Sequence, residues 1–288
     1  YSGMGNAGVA LPSLYTINEM NPASFGWLGK DRFLLEVGLA GLSTKYSNER
    51  ENISAGDFTI SRIALGMQVV NPVRTVIGLR RFSQVEYYTT ANRDVAGTYD
   101  KIESQVEGSG GLYQVYMGNS FVIKKKLSLG ISTGFVFGSV NSQETVLLSE
   151  SDILIAESNK YYYSGTINTG IQYQFNTGKN KWIAGAFFQP QVRLNTQDDA
   201  QLKNGSDQVI STAETVNGKF TFPVEYGAGI TWMKNNFTLT ADVIRHDWAA
   251  TGYKGNDFIT TNATSYAVGV RHQFMREGIW GTSQGISL

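Results

Sequence analysis

Residues 127–137 read LSLGISTGFVF. Leu127, Leu129, Ile131, Thr133, Phe135 and Phe137 fall in one phase, and Ser128, Gly130, Ser132, Gly134 and Val136 in the other. Successive side chains of a strand point to opposite faces, so this spacing predicts a strand with one bulky apolar face and one small or polar face. The pattern recurs in Tyr161–Phe175 and again in Phe220–Trp232. Ten such segments are predicted, near 32–46, 58–70, 73–88, 111–123, 127–140, 160–176, 181–195, 218–233, 236–248 and 264–275. Globular strands usually run about 5–6 residues. Most of these are at least twice that, which suits a large barrel better than a sandwich.

The connections alternate in length. Asn71-Pro72, Lys124-Lys125-Lys126, Asn176–Asn180 and Lys234-Asn235 are short, whereas 47–57, 89–110, 141–159, 196–217 and 249–263 are long and hold most of the Asp, Glu, Asn and Ser. Short turns on one side and long loops on the other mark a bacterial outer-membrane barrel. The first strand is followed by a long loop, so it runs outward and residues 1–31 start on the periplasmic side, ahead of a barrel over 32–288. The tenth strand ends near Phe274, Arg276-Glu277-Gly278 reads as a turn, and IWGTSQGISL (279–288) reads as the start of an eleventh strand. Single-chain bacterial barrels have even strand numbers, so the sequence is expected to lack its last strands.

Composition fits a wall with one face in lipid. Charged residues make up 17%, below the roughly 25% of ordinary globular domains, while aromatics reach 12%. Tyr87, Tyr88, Tyr113, Tyr161, Tyr162, Tyr163, Trp182, Trp232, Trp248 and Tyr266 fall at or near strand ends, where interfacial aromatic girdles form. There are 24 basic and 24 acidic residues, with no basic stripe, so nucleic acid is not an expected partner. With no cysteine, disulfides and thiolate metal sites are excluded. His246 and His272 are the only histidines; no metal site, cofactor or catalytic group is expected, and the protein reads as a non-enzyme.

With the apolar face outward, Glu36, Arg62, Arg74, Arg80, Glu225, Asp242, His246 and Arg271 line the lumen. An Arg or Lys on the lipid face near midplane would cost about 2–4 kcal/mol. Two readings stay open: mutual ion pairs that anchor a plug, or a polar constriction that contacts ligand. Gly66, Gly78, Gly118, Gly130, Gly134, Gly170, Gly185 and Gly269 recur at mid-strand on the same face. Glycine there marks the close approach of another backbone, and the N-terminal leader is the candidate.

That leader reads GMGNAGVALPSLYTINEMNPAS (3–24). Gly3, Gly5, Ala7, Gly8 and Ala10, closed by Asn21-Pro22-Ala23, resemble the N-terminal signature of the FadL-like outer-membrane protein family, and INEMNPASF resembles its Bacteroidetes members most. The resemblance implies a fourteen-stranded barrel whose N-terminal segment enters the lumen as a hatch. Gly3, Gly5, Gly8, Asn21, Pro22 and Ala23 would form that hatch, with Asn21–Ala23 as its hinge. It also implies a bacterial outer-membrane location, contact with membrane lipid, and passage of a long-chain fatty acid or another apolar or amphiphilic molecule. The competing expectation is a non-transporting barrel that serves as a subunit or attachment site in a larger outer-membrane complex.

Overall fold

The computed structural model describes residues 4–13, 16–29, 33–47, 52–94, 101–148, 152–254, 259–277 and 283–287. Gly3 lies outside these. Fourteen strands occur among the described residues: β1 (Phe33–Ser47), β2 (Asn52–Val70), β3 (Val73–Asp94), β4 (Lys101–Ile123), β5 (Leu127–Leu147), β6 (Ile153–Thr177), β7 (Asn180–Gln189), β8 (Val192–Asn204), β9 (Val209–Thr212), β10 (Val216–Phe222), β11 (Glu225–Lys234), β12 (Phe237–His246), β13 (Ala263–Glu277) and β14 (Ser283–Ser287). All pairings are antiparallel, and the ladder runs β1 to β7, then β11, β12, β13 and β14. No ladder joins β14 to β1 among the described residues.

Two predicted strands are each broken in two. β7 and β8 are halves of one strand, and β10 and β11 are halves of its partner, because Gln189 pairs with Glu225 and Val192 with Phe222 in a single register. The interruptions fall at Pro190 and Pro223. Proline has no N–H to give a ladder. Neighbouring β6 pairs β7 up to Thr169↔Phe188 and resumes with β8 at Tyr163↔Asn195, one residue out of step.

The long connections also differ from the sequence reading. Most of them are strand: β3 and β4 pair as far as Asp94↔Lys101, and β5 and β6 as far as Leu147↔Ile153. A spanning strand needs about 9–11 residues, whereas β6 has 25. The excess carries polar residues on both faces, shows no clean apolar phase and reads as loop. Ion pairs fasten this outer part. Lys203 Nζ lies 2.8 Å from the Glu157 carboxylate, and hydrogen bonds from Lys203 and then Gln201 hold that carboxyl below its ordinary value. A depressed carboxylate stabilises above its unfolded value and loses the contribution as pH falls through its folded one. Protection of the β6–β8 amides, measured relative to intrinsic exchange at each pH, should therefore fall on acidification below the ordinary Glu range, and Glu157→Gln should flatten that dependence.

The outward phase is apolar and exposed: Leu35, Val37 and Leu39 on β1, Leu129, Ile131 and Phe135 on β5, Ile167, Ile171 and Tyr173 on β6, and Val268 and Val270 on β13. A continuous apolar belt of this kind exceeds the patches of soluble monomers. At the short-turn end, Tyr173, Phe175, Trp182, Trp232 and Phe237 form an unbroken row of ring contacts at 5.7–6.3 Å across β6, β7, β11 and β12. Two expected girdle residues instead face inward. Tyr162 packs on Phe220 at 6.3 Å and Trp248 on Phe222 at 6.1 Å.

Candidate functional site

Residues 4–13 and 16–29 lie on the inner face of the sheet and touch β2, β4, β5, β6, β7, β12 and β13. One short segment can meet so many strands only if the sheet is rolled around it. The inner-face glycines make the contact possible. A Cβ at Gly269 would strike the Met4 carbonyl, one at Gly130 the backbone of Pro22 and Ala23, and one at Gly118 the Phe25 ring; Gly170, Gly185 and Gly66 meet Asn21, Val9 and Leu28 in the same way. Gly78 and Gly134 differ, since barrel side chains (Tyr116, and Gln114 with Thr166) cover them.

The segment brings little core of its own and borrows the wall's hydrogen bonds. The Gly8 and Val9 N–H groups both donate to the Asp242 carboxylate, the latter at 2.7 Å. Gly5 and Asn6 make the approach through left-handed backbone, φ 57° and 62°. Gln172 Nε2 donates to the Val9 carbonyl at 2.9 Å. Asn21–Ala23, expected as a hinge, is a buried clasp. The Asn21 side chain caps the 3-10 turn Pro22–Trp27 by accepting from the Ala23 N–H, with Pro22 at the first turn position. Its amide also donates to the Val9 carbonyl at 2.8 Å.

The inward charges are mostly paired. Glu36 and Arg62 form an ion pair beneath the loop at Ile17, whose N–H donates to Glu36 at 2.7 Å. Arg74 Nε donates to the Leu28 carbonyl at 2.9 Å. Arg80 sits 3.5 Å from Glu19, to which the Tyr116 hydroxyl donates at 2.6 Å. Glu225 and His246 are cross-strand partners 3.9 Å apart. Arg271 shares the inward phase of Gly269 on β13. Sequence reasoning passed over Glu19, although it is the leader's single charged residue and so the natural mate for a lumen arginine.

Beyond the segment lies a cavity of about 750 Å³. Glu19 and Met20 of the segment border it; Arg62, Arg80, Asn168, Gln189, Glu225 and His246 supply polar wall, and Phe82, Phe187, Phe222 and Trp248 apolar wall. Further out, Leu112, Val136, Val192 and Leu194 form a buried cluster with Phe82, Tyr162, Phe220 and Phe222. The cavity thus adjoins both the docked segment and this apolar cluster. Its volume falls within the range of small-molecule sites. No group of three or more metal-ligating side chains occurs among the described residues.

The wall forks beside this cavity. Among the described residues the β2–β3 ladder runs from Val70↔Val73 to Arg62↔Arg80 and ends there; beyond it β2 pairs with β1 and β3 with β4. A bulge in each strand sits at the fork. Ser61 is the extra residue of β2 opposite Gly38 and Leu39, and Phe82 is the extra residue of β3 opposite Tyr113 and Leu112. Bulges bend a strand and re-aim a side chain, and both Ser61 and Phe82 line the cavity.

Three solved structures share this fold. A FadL homologue from Pseudomonas aeruginosa matches with TM-score 0.62 at 11% identity, over 94% of this chain and 75% of that one. CymD, a monoaromatic hydrocarbon channel, matches with TM-score 0.59 at 14% identity, over 95% and 78%. A deltaS2S3 mutant of TodX, also a monoaromatic hydrocarbon channel, matches with TM-score 0.55 at 15% identity, over 93% and 73%. No curated protein matches the sequence. The family model described as BamG matches residues 1–274, and with nearly the whole chain matched, this protein belongs to the BamG family.

Proposed function

We propose that this chain is a bacterial outer-membrane channel for hydrophobic or amphiphilic small molecules, with residues 1–31 as its hatch. The cavity carries the reading: an amphiphilic chamber adjoins a docked N-terminal segment, an apolar cluster and a fork in the wall. An apolar molecule gains about 25 cal/mol per Å² of surface removed from water, which Phe82, Phe187, Phe222 and Trp248 can supply. The β2–β3 fork offers it a way between chamber and bilayer without crossing bulk water. The named hydrocarbon channels of the same fold support this reading, as does the exposed apolar belt for the location.

The test is flux of a fluorescent fatty-acid analogue and of naphthalene into liposomes that carry the protein. Wild type should exceed protein-free vesicles, and deletion of residues 3–22 should raise flux several-fold while the barrel keeps its heat-modifiable gel mobility. If no apolar probe crosses faster with either protein than without, the channel reading fails. The non-transporting subunit of a larger complex is then favoured, and stoichiometric co-purification of partners would support it.

A further inference from the structure

We infer that the chamber, taken as the ligand site proposed above, selects organic cations: amine- or quaternary-ammonium-bearing apolar molecules, held by Glu225 inside an aromatic frame. The inference starts from which charges are already answered. Arg62 faces Glu36, Arg80 faces Glu19 and donates a further hydrogen bond, 2.8 Å, to Gln114, and Arg81, which also lines the chamber, donates to Gln84 at 2.6 Å. Glu225 is different. Among the described residues its partner within 4 Å is His246, at 3.9 Å, which carries charge only when protonated, and Arg80, engaged with Glu19, acts on it from beyond that distance.

Four rings share the chamber with Glu225, whose cross-strand neighbours are Gln189 and His246. Phe187 lies over Gly227, the next inward position along β11, where a Cβ would come within 2.8 Å of the ring. On the other side Phe222 contacts Phe82 at 5.2 Å and Trp248 at 6.1 Å, and all four rings line the same chamber. Aromatic faces are electron-rich, so they attract a cation within about 6 Å and repel an anion. A quaternary ammonium is weakly hydrated and gives up little on leaving water for such a frame. The carboxylate supplies the counter-charge, and the rings supply both apolar contact and further attraction.

Three probes that share a benzyl group isolate the head group: benzyltrimethylammonium, phenylmethanesulfonate and benzyl alcohol. Each is titrated by ligand-observed NMR against the full chain in zwitterionic nanodiscs, with empty nanodiscs subtracted. Benzyltrimethylammonium should bind roughly tenfold more tightly than benzyl alcohol, as a desolvated cation–π site would give, and the sulfonate should bind most weakly. Glu225→Gln should bring the cation to the level of the alcohol and leave the alcohol unchanged; unaltered heat-modifiable mobility shows that the variant is folded. Equal or tighter binding of the sulfonate overturns the inference, as does a cation preference that survives Glu225→Gln, while alcohol binding in either case leaves the channel reading standing. If none of the three binds, the chamber is not a ligand site and both readings fall.

Discussion

Gly130→Leu should leave the barrel assembled and its N-terminal segment undocked. Gly130 lies in the β5 ladder between Ser120 of β4 and Gly170 of β6, and an added Cβ points into the peptide backbone of Pro22 and Ala23. Backbone cannot turn aside as a side chain can. Overpacking typically costs about 1–3 kcal/mol, and at this position the cost falls on the segment, because the ladder bonds of β5 are untouched. The capped turn Pro22–Trp27 would lift, and the Asn21 amide would lose Val9. Limited proteolysis should then cut within residues 4–13 or 16–29, which the wild type is expected to protect, while the heat-modifiable shift of the barrel persists. Gly165→Ala is the control: the nearest atom to a Cβ there is the Gly134 carbonyl oxygen at 4.0 Å, so protection should not change. Wild-type protection in Gly130→Leu would show that the segment does not depend on this contact.

Closing the fork should have the largest effect on transport. Ser61 and Ser83 stand on opposite sides of the split and both line the chamber. The chain has no cysteine of its own, so Ser61→Cys with Ser83→Cys introduces the sole thiol pair. A cleavable bifunctional reagent across it should reduce flux of the apolar probe to the protein-free background, and reduction should restore it. Each single-cysteine variant treated alike should conduct as before. Undiminished flux through the cross-linked protein would mean that the route runs elsewhere.

The fold was legible in period two because one face of nearly every strand meets an apolar surrounding. That signal stops where the surrounding stops. Outside the membrane band the buried positions Ser104 and Gly108 of β4 are polar or small, so Glu103–Ser109 and Gln143–Leu147 show no apolar alternation and read as loop, although they pair residue by residue. The breaks at Pro190 and Pro223 were visible as letters, and the missing N–H of proline was sufficient reason to end a strand there. The apolar phase ran through them because the two halves keep one register.

The site was legible in part. The inner-face glycines and the lumen charges follow from phase alone. The fork does not, since a bulge depends on how two strands are matched, and no single strand declares it. Ser61 and Phe82 are ordinary residues until the extra position in each strand turns them to the chamber. Glu225 was placed on the inner face, but its aromatic frame gathers residues from β3, β7, β10 and the turn after β12, and sequence separation hides that grouping.

The contact between Gly8 and Asp242 joins residues 234 positions apart. Closing so long a span is rewarded only once the intervening chain is in place. The small residues at positions 5–10 have no fold of their own to hold until β12 and β13 stand beside β11. Docking of residues 5–10 is therefore expected to follow the pairing of β11, β12 and β13, and to complete the interior of a wall already laid down.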